Sequence, residues 1–469
     1  MLPDVALLGI FDFYVEFMYE AGLTWYALVH VCRKWRNVVF GSPRRLGLKL
    51  NCRASTPMRE TLDVWPLLPI IIEADRYDKW GVDNIISTLE HQDRICQLEL
   101  FEFSNSQFKK VLAVTQQPFP ALTDLRLYPK DGKAPLVPVP ASFLGGSAPR
   151  LRTLTLGHIA FPGLPKLLLS ATHLVYLALR GIPRSGYISP ETMLTCLSVL
   201  TRLETLSIGF KSARSFPRRE SQSLPLPTRT LLPILSRLSF EGVIDYLEDL
   251  VVRIDAPLLH NLDVTFFNQL IFDIPRLTQF ISRTPKLKAY DTARVFVSDC
   301  DAAGVTLSQT SKTSHRQFEL RIAYKSPSDE QASSLAQICS SSFPQPLIAT
   351  VEHLYILVFG LDWQPEDDFG NDQWLELLLP FTAVKDVYIP LEFMLSISLA
   401  LQELVGERTT EVLPALQTLF LEDNTLFPSP PGVQDVIGQF VAARQLSGHP
   451  FTVSPWDGDD GMDPPIEET

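Results

Sequence analysis

The chain has 469 residues, 46% of them hydrophobic and 20% charged, which is more than one ordinary domain needs for its core. A net charge of −12 argues against nucleic acid or an anionic membrane as a partner. Six cysteines (Cys32, Cys52, Cys96, Cys196, Cys300 and Cys339) lie far apart with no C-x-x-C pair, a pattern of buried thiols rather than of a disulfide framework. No apolar run approaches the ~18 residues of a membrane helix, and Asp4 and Asp12 break the N-terminal apolar stretch. A cytoplasmic or nuclear protein is expected.

Two short helices are predicted first. Leu7, Ile10 and Phe11 follow helical spacing, with Pro3 just inside the start, where a missing N–H costs nothing. Leu28, Val31 and Trp35 repeat that spacing on a second helix. A module of about forty residues rarely closes its own core, so these side chains should form an association patch. Each one newly buried would contribute roughly 1.5–3 kcal/mol before association entropy is subtracted.

The order L-P-D-x-x-L-x-x-I-F (Leu2–Phe11), a spacer, then L-V-x-V-C-R-x-W-R (Leu28–Arg36) resembles the F-box. The adjoining Phe40-Gly41-Ser42-Pro43-Arg44-Arg45-Leu46 is similar to the continuation found in mushroom-type fungal F-box proteins. The likeness covers about a tenth of the chain. It implies docking onto the Skp adaptor of a cullin-based ubiquitin ligase, with positions equivalent to Leu2, Pro3, Ile10, Phe11, Val31, Cys32 and Trp35 facing the adaptor, and Leu7 and Leu28 in the same patch. Two departures stand out. The motif opens at Met1-Leu2, without the residues that usually precede the first helix, and Val15–Trp25 holds Glu16, Glu20 and Gly22 in place of a short Pro- and Asp-containing turn. The alternative from the residues alone is a helical cap on the remainder of the chain, covering its first open edge.

A second pattern then takes over. The phrase L-x-x-L-x-L recurs with first leucines at 122, 151, 174, 203, 235 and 259, steps of 23–32 residues, and returns around Leu354 and at Leu416-Leu419-Leu421. Pro120, Pro149, Pro233, Pro257 and Pro414 each stand two residues before a phrase. Apolar helical segments at 161–170, 190–200, 244–252, 275–283 and 330–340 alternate with these strands. One strand-plus-helix unit cannot bury its apolar face alone, so neighbours must stack. The predicted fold is α/β: a helical module over 1–45, then an irregular right-handed leucine-rich-repeat-like solenoid over 46–446, with a parallel sheet and helices. Strands at Leu46–Leu50, Pro69–Ile72 and Leu98–Phe101 should open it, and 286–350 is its least regular stretch. Residues 130–147, 211–229 and 308–317 read as loops, and 447–469 as an acidic disordered tail.

Nothing here spells catalysis. G-x-S-x-G, the P-loop, G-x-G-x-x-G and H-E-x-x-H are all absent, and Asp368-Phe369-Gly370 stands without the other kinase motifs. The eight histidines lack metal-ligand spacing, and the acidic run Asp362, Glu366, Asp367, Asp368, Asp372 fits no EF-hand. No catalytic residue, metal or cofactor is expected. Arg214, Arg218 and Arg219 read as a solvated loop or as a reader of an acidic partner. Phe266, Phe267, Phe272, Tyr290, Phe296 and Tyr324 belong either to the core or to a binding face. The expected role is a substrate-recognition subunit: residues 1–45 on the Skp adaptor, and through it a cullin, with the solenoid on a protein substrate.

Overall fold

The computed structural model describes residues 2–17, 25–43, 45–52, 58–64, 67–74, 81–130, 137–217, 229–267, 274–288, 290–298, 302–309, 317–323, 345–359, 370–406, 408–422 and 432–456. The expected helix at 330–340, Arg218, Arg219, Phe272, Tyr324, Cys300, Cys339, His315 and the run Asp362–Phe369 lie outside these residues. The chain divides into two compact units, Met1–Ile188 and Ser189–Thr469.

The first unit opens with three helices, α1 (Asp4–Phe17), α2 (Tyr26–Val31) and α3 (Arg33–Gly41). Six strands come next: β1 (Leu50–Cys52), β2 (Ile70–Ala74), β3 (Ile95–Phe103), β4 (Asp124–Pro129), β5 (Thr153–Gly157) and β6 (Tyr176–Ile182). They lie side by side in sequence order, every pair parallel. Leu125, Leu154 and Leu177 form one aligned row, and Leu127, Leu156 and Leu179 the next. All six are buried, because a two-residue period in register puts every phrase leucine on the same face of the sheet.

The phrase prolines have a mechanical explanation. In each case the first leucine donates its N–H to the carbonyl three residues back: Leu122 to Phe119, Leu151 to Ala148, Leu235 to Leu232, Leu259 to Ala256 and Leu416 to Leu413. Proline occupies the second position of that turn, where its fixed φ is already correct and its missing N–H is not needed. Leu287 makes the same turn after Pro285. The least regular stretch thus opens with a complete repeat corner.

The second unit continues the pattern with β7 (Thr205–Phe210), β8 (Thr230–Leu231), β9 (Arg237–Gly242), β10 (Ile254–Asp255) and β11 (Asn261–Phe267). Helices Pro190–Leu197, Ile244–Val251 and Pro275–Arg283 occupy three of the expected segments, the first capped by the Ser189 hydroxyl. The parallel expectation fails next. Strands β12 (Thr292–Ser298), β13 (Ala302–Ser308) and β14 (Gln317–Ala323) form an antiparallel meander that folds back, so that β14 pairs with β11 and β12 with β15 (His353–Phe359). Antiparallel neighbours need no crossover helix, so the three strands can follow one another directly in the sheet.

Parallel order resumes through β16 (Asp386–Ile389), β17 (Thr418–Glu422) and β18 (Thr452–Trp456). One strand here lies outside the phrases seen in the sequence, and one expectation is corrected. β16 carries the phrase as Val384, Val387 and Ile389, all buried, where leucine spacing alone shows nothing. The stretch from 447 is not wholly a disordered tail, since Thr452–Trp456 pairs in parallel with β17 and extends the sheet beyond residue 446. Pro455 is tolerated there because, among the described residues, β17 is the only strand beside β18.

Candidate docking surface

The three helices close one core. Leu7, Leu8 and Phe11 of α1 meet Leu28, Val29, Val38 and Val39, and Leu46, Leu48 and Leu68 from the start of the solenoid complete the cluster. Phe11 is fully buried and meets Trp35 edge-on at 4.8 Å. Trp25 Nε1 donates to the Lys49 carbonyl at 2.7 Å, tying the head to the residue before β1. Leu7, Phe11 and Leu28 are therefore interior residues, contrary to the expectation that they present themselves to a partner. The head closes its core by borrowing three solenoid leucines, and packing shows no boundary at residue 45.

The phrase Val31–Arg36 divides its labour. Cys32 is extended (φ −162°, ψ 169°), ends α2 and starts α3. Arg36 donates to the Val29 carbonyl at 3.0 Å, satisfying one of the end carbonyls α2 leaves open. Lys34 binds the Leu2 carbonyl at 2.7 Å and pairs with Asp4 at 3.2 Å, holding α1 against α3. Trp35, half-buried, packs from beneath.

What remains outside is apolar. Leu2 is 53% exposed, Val5 72%, Ile10 49%, Phe13 71% and Val31 58%, with Pro3 and Cys32 also exposed. At 100° per residue, Val5, Ala6, Gly9, Ile10 and Phe13 share one side of α1, and Leu7, Leu8 and Phe11 the other. A helix covered on one side only should be polar on the other, and α1 is not. Of the nine residues expected in the patch, the structure leaves Leu2, Pro3, Ile10, Val31 and Cys32 outside, Trp35 half-covered, and Leu7, Phe11 and Leu28 inside. Val5 and Phe13 escape the sequence pattern. Their i, i+4 relation through Gly9 was the available signal.

Other candidates come to less. Among the described residues no group of three or more His, Cys, Asp or Glu could hold a metal ion, and no helix is long and apolar enough to cross a membrane. His173 is exposed, and His353 meets Asp386 at 3.0 Å on the sheet. Arg214 is exposed on a short 3-10 turn. Phe266 and Tyr290 are buried.

No protein-family model matches the chain, and no curated protein is similar to it. Among solved structures, the leucine-rich repeat-containing protein LegL7 from Legionella pneumophila is 12% identical, over 84% of this chain and 97% of that one, with a TM-score of 0.27. At that score the two backbones do not superpose closely. The repeat architecture rests on the strand register of this chain.

Proposed function

We propose that the chain is the substrate-recognition subunit of a Skp–cullin–F-box ubiquitin ligase, present in the cytoplasm or nucleus. The head docks onto the Skp adaptor, and through it a cullin, while the solenoid holds a protein substrate. The chain makes no bond itself; it raises the local concentration of substrate lysines at the ligase. One observation carries this reading: α1 keeps Val5, Ile10 and Phe13 outside a core that is already closed, and Val31 and Cys32 stay outside it too. The resemblance of Leu2–Phe11 and Leu28–Arg36 to the F-box supplies the adaptor's identity.

The test is capture of the full chain by purified Skp adaptor. Ile10→Asp with Val31→Asp should abolish capture and leave the thermal midpoint nearly unchanged, since both side chains already face water. Phe11→Ala should instead cost about 3–5 kcal/mol of stability through the cavity it leaves. Capture that survives the double change, or is absent from the wild type, overturns the reading.

The second reading is a scaffold outside any ligase, whose head only caps the solenoid. The sharing of Leu46, Leu48 and Leu68 with the head core and the Trp25–Lys49 bond favour it. Residues 46–469 that aggregate alone, together with a wild type that ignores the adaptor, would decide for the cap.

A further inference from the structure

The second unit holds an apolar cluster on the face of its sheet opposite the core. Phe296, Leu357 and Trp456 are buried there, with Tyr355, Tyr388 and Phe420 packed against them. These residues alternate along their strands with Val295, Ile356, Val387 and Leu419, which face the core. Register puts Tyr355, Tyr388 and Phe420 opposite one another, and their rings stack at 4.1 and 4.5 Å with planes within 6°. Trp456 meets Tyr388 edge-on at 5.5 Å. At the margin, Arg294 lies 5.7 Å from the Tyr355 ring and Arg321 lies 5.9 Å from that of Phe296, so rings on this face already receive guanidinium groups.

The same row continues into carboxylates. From Tyr355 it passes through Arg294 and Thr306 to Glu319, Asp263 and Ser239, all in register. Glu319 is engaged by Arg321 and by Gln317. Among the described residues, Asp263 receives only the Ser239 hydroxyl, at 3.4 Å, and its Oδ1 is buried without a hydrogen-bond partner. Burial, and then the charge of Glu319, push its carboxyl up to about 6, against a smaller opposing pull from Arg321. What the described part of this row lacks is a cation in direct contact with Asp263.

We propose that this sheet face binds an extended protein segment bearing arginine or lysine, the cationic side chain against Asp263 and Glu319 and neighbouring residues against Tyr388 and Phe420. The inference rests on the reading of the solenoid as the substrate-holding arm and names the chemistry of what it holds. Five strand spacings of ~4.8 Å separate Asp263 from Tyr388, a span of about seven or eight extended residues.

The experiment is fluorescence anisotropy of the full chain with a labelled Gly/Ser decapeptide carrying two arginines at one end and a leucine at the other. The control peptide has glutamates in place of the arginines. The arginine peptide should bind at least tenfold more tightly. Asp263→Asn with Glu319→Gln should weaken it at least tenfold and Tyr388→Ala several-fold, while the charge-matched pair Glu90→Gln with Asp245→Asn leaves it unchanged. With blocked termini and a label that does not titrate, the peptide's charge is constant between pH 5.5 and 7.5, so affinity should rise with pH as Asp263 ionises, and should be flat in Asp263→Asn. This profile on the wild type stands even if a variant misfolds. Equal binding of both peptides, equal loss in the charge-matched pair, or a flat wild-type profile overturns the proposal. Failure of the arginine peptide with adaptor capture intact sinks this inference alone; peptide binding without adaptor capture sinks only the ligase reading.

Discussion

The outer sheet faces of the two units solve the same problem differently. In the first unit Glu99 is buried on that face and has Arg126 opposite it in register, 3.3 Å away, with Gln97 donating at 2.7 Å. In the second unit Asp263 has a serine on one side and another carboxylate, Glu319, on the other. Burial raises both acids, and each has a second acid and an arginine nearby. At Glu99 the pull of Arg126 outweighs the push of Glu73, its neighbour on the other side, whereas at Asp263 the push of Glu319 outweighs the pull of Arg321. The aromatic rows differ in the same sense. Phe101 stacks on Tyr128 at 5.4 Å and the row then meets Gly157, whereas the second face runs three rings deep and adds Trp456. Among the described residues, the Glu99 carboxylate has both an arginine and an amide on it, whereas Asp263 keeps one oxygen without a hydrogen-bond partner. Incomplete polar pairing tends to mark function rather than stability.

The comparison breaks most readily at Asp263. Its folded pKa of about 6 lies above the ordinary aspartate value, so the folded chain holds the proton more tightly than the unfolded chain does. That contribution is fully present below about pH 4 and is lost as pH rises through 6, at a cost of up to about 3 kcal/mol above neutrality. Asp263→Asn, which stays uncharged, should therefore stabilise the chain at pH 7.5 and change it little at pH 4. Urea midpoints of both proteins across that range would measure this. A wild type whose stability does not fall relative to the variant between pH 5 and 7.5 would mean that Asp263 has a compensating cation after all. The same substitution should cost peptide affinity, so stability and binding are expected to move in opposite directions.

The first face gives the converse. Arg126→Met removes the charge that opposes the upward shift of the Glu99 carboxyl and should destabilise the chain by roughly 1–2 kcal/mol at pH 7.5, since Arg126 is itself half-exposed and its ion pair partly screened. The loss should shrink toward pH 4 as Glu99 takes up its proton. A loss that is the same at both pH values would show that the arginine stem matters for packing and that its charge does not.

Much of this scaffold is legible in the sequence, for mechanical reasons. Leu125, Leu154 and Leu177 line up because a two-residue period and a repeated turn leave each strand one register. The phrase prolines mark that turn. Three features are not legible. The meander over β12, β13 and β14 falls in the stretch 286–350 whose phrases are least regular, but it comes after an ordinary repeat corner at Leu287, so the irregularity is visible and the reversal of strand direction is not. β16 uses valine and isoleucine, whose packing role on a strand equals leucine's. In the head, helical spacing marks the apolar residues but not which side is covered, because the covering leucines, Leu46, Leu48 and Leu68, come from the next segment of chain. The uncompensated Asp263 is invisible for a similar reason: its neighbour Glu319 lies across an inserted hairpin, 56 residues along the chain.

The smallest expected effect concerns the rings. Tyr388 stacks between Tyr355 and Phe420, whereas Tyr128 stacks on Phe101 and lies against Gly157, where a Cβ would meet its ring at 2.5 Å. Aromatic pairs contribute about 0.5–1.5 kcal/mol beyond the area they bury. Tyr388→Leu, which keeps most of the apolar area, should thus cost about 1–2 kcal/mol, and Tyr128→Leu about half of that, both read from urea midpoints at pH 7.5. Because Tyr388 belongs to the proposed binding row and Tyr128 does not, only the first change should also weaken the arginine peptide. Should Tyr128→Leu weaken the peptide as much, the segment would have to reach the face of the first unit, and the distinction between the two faces would no longer hold.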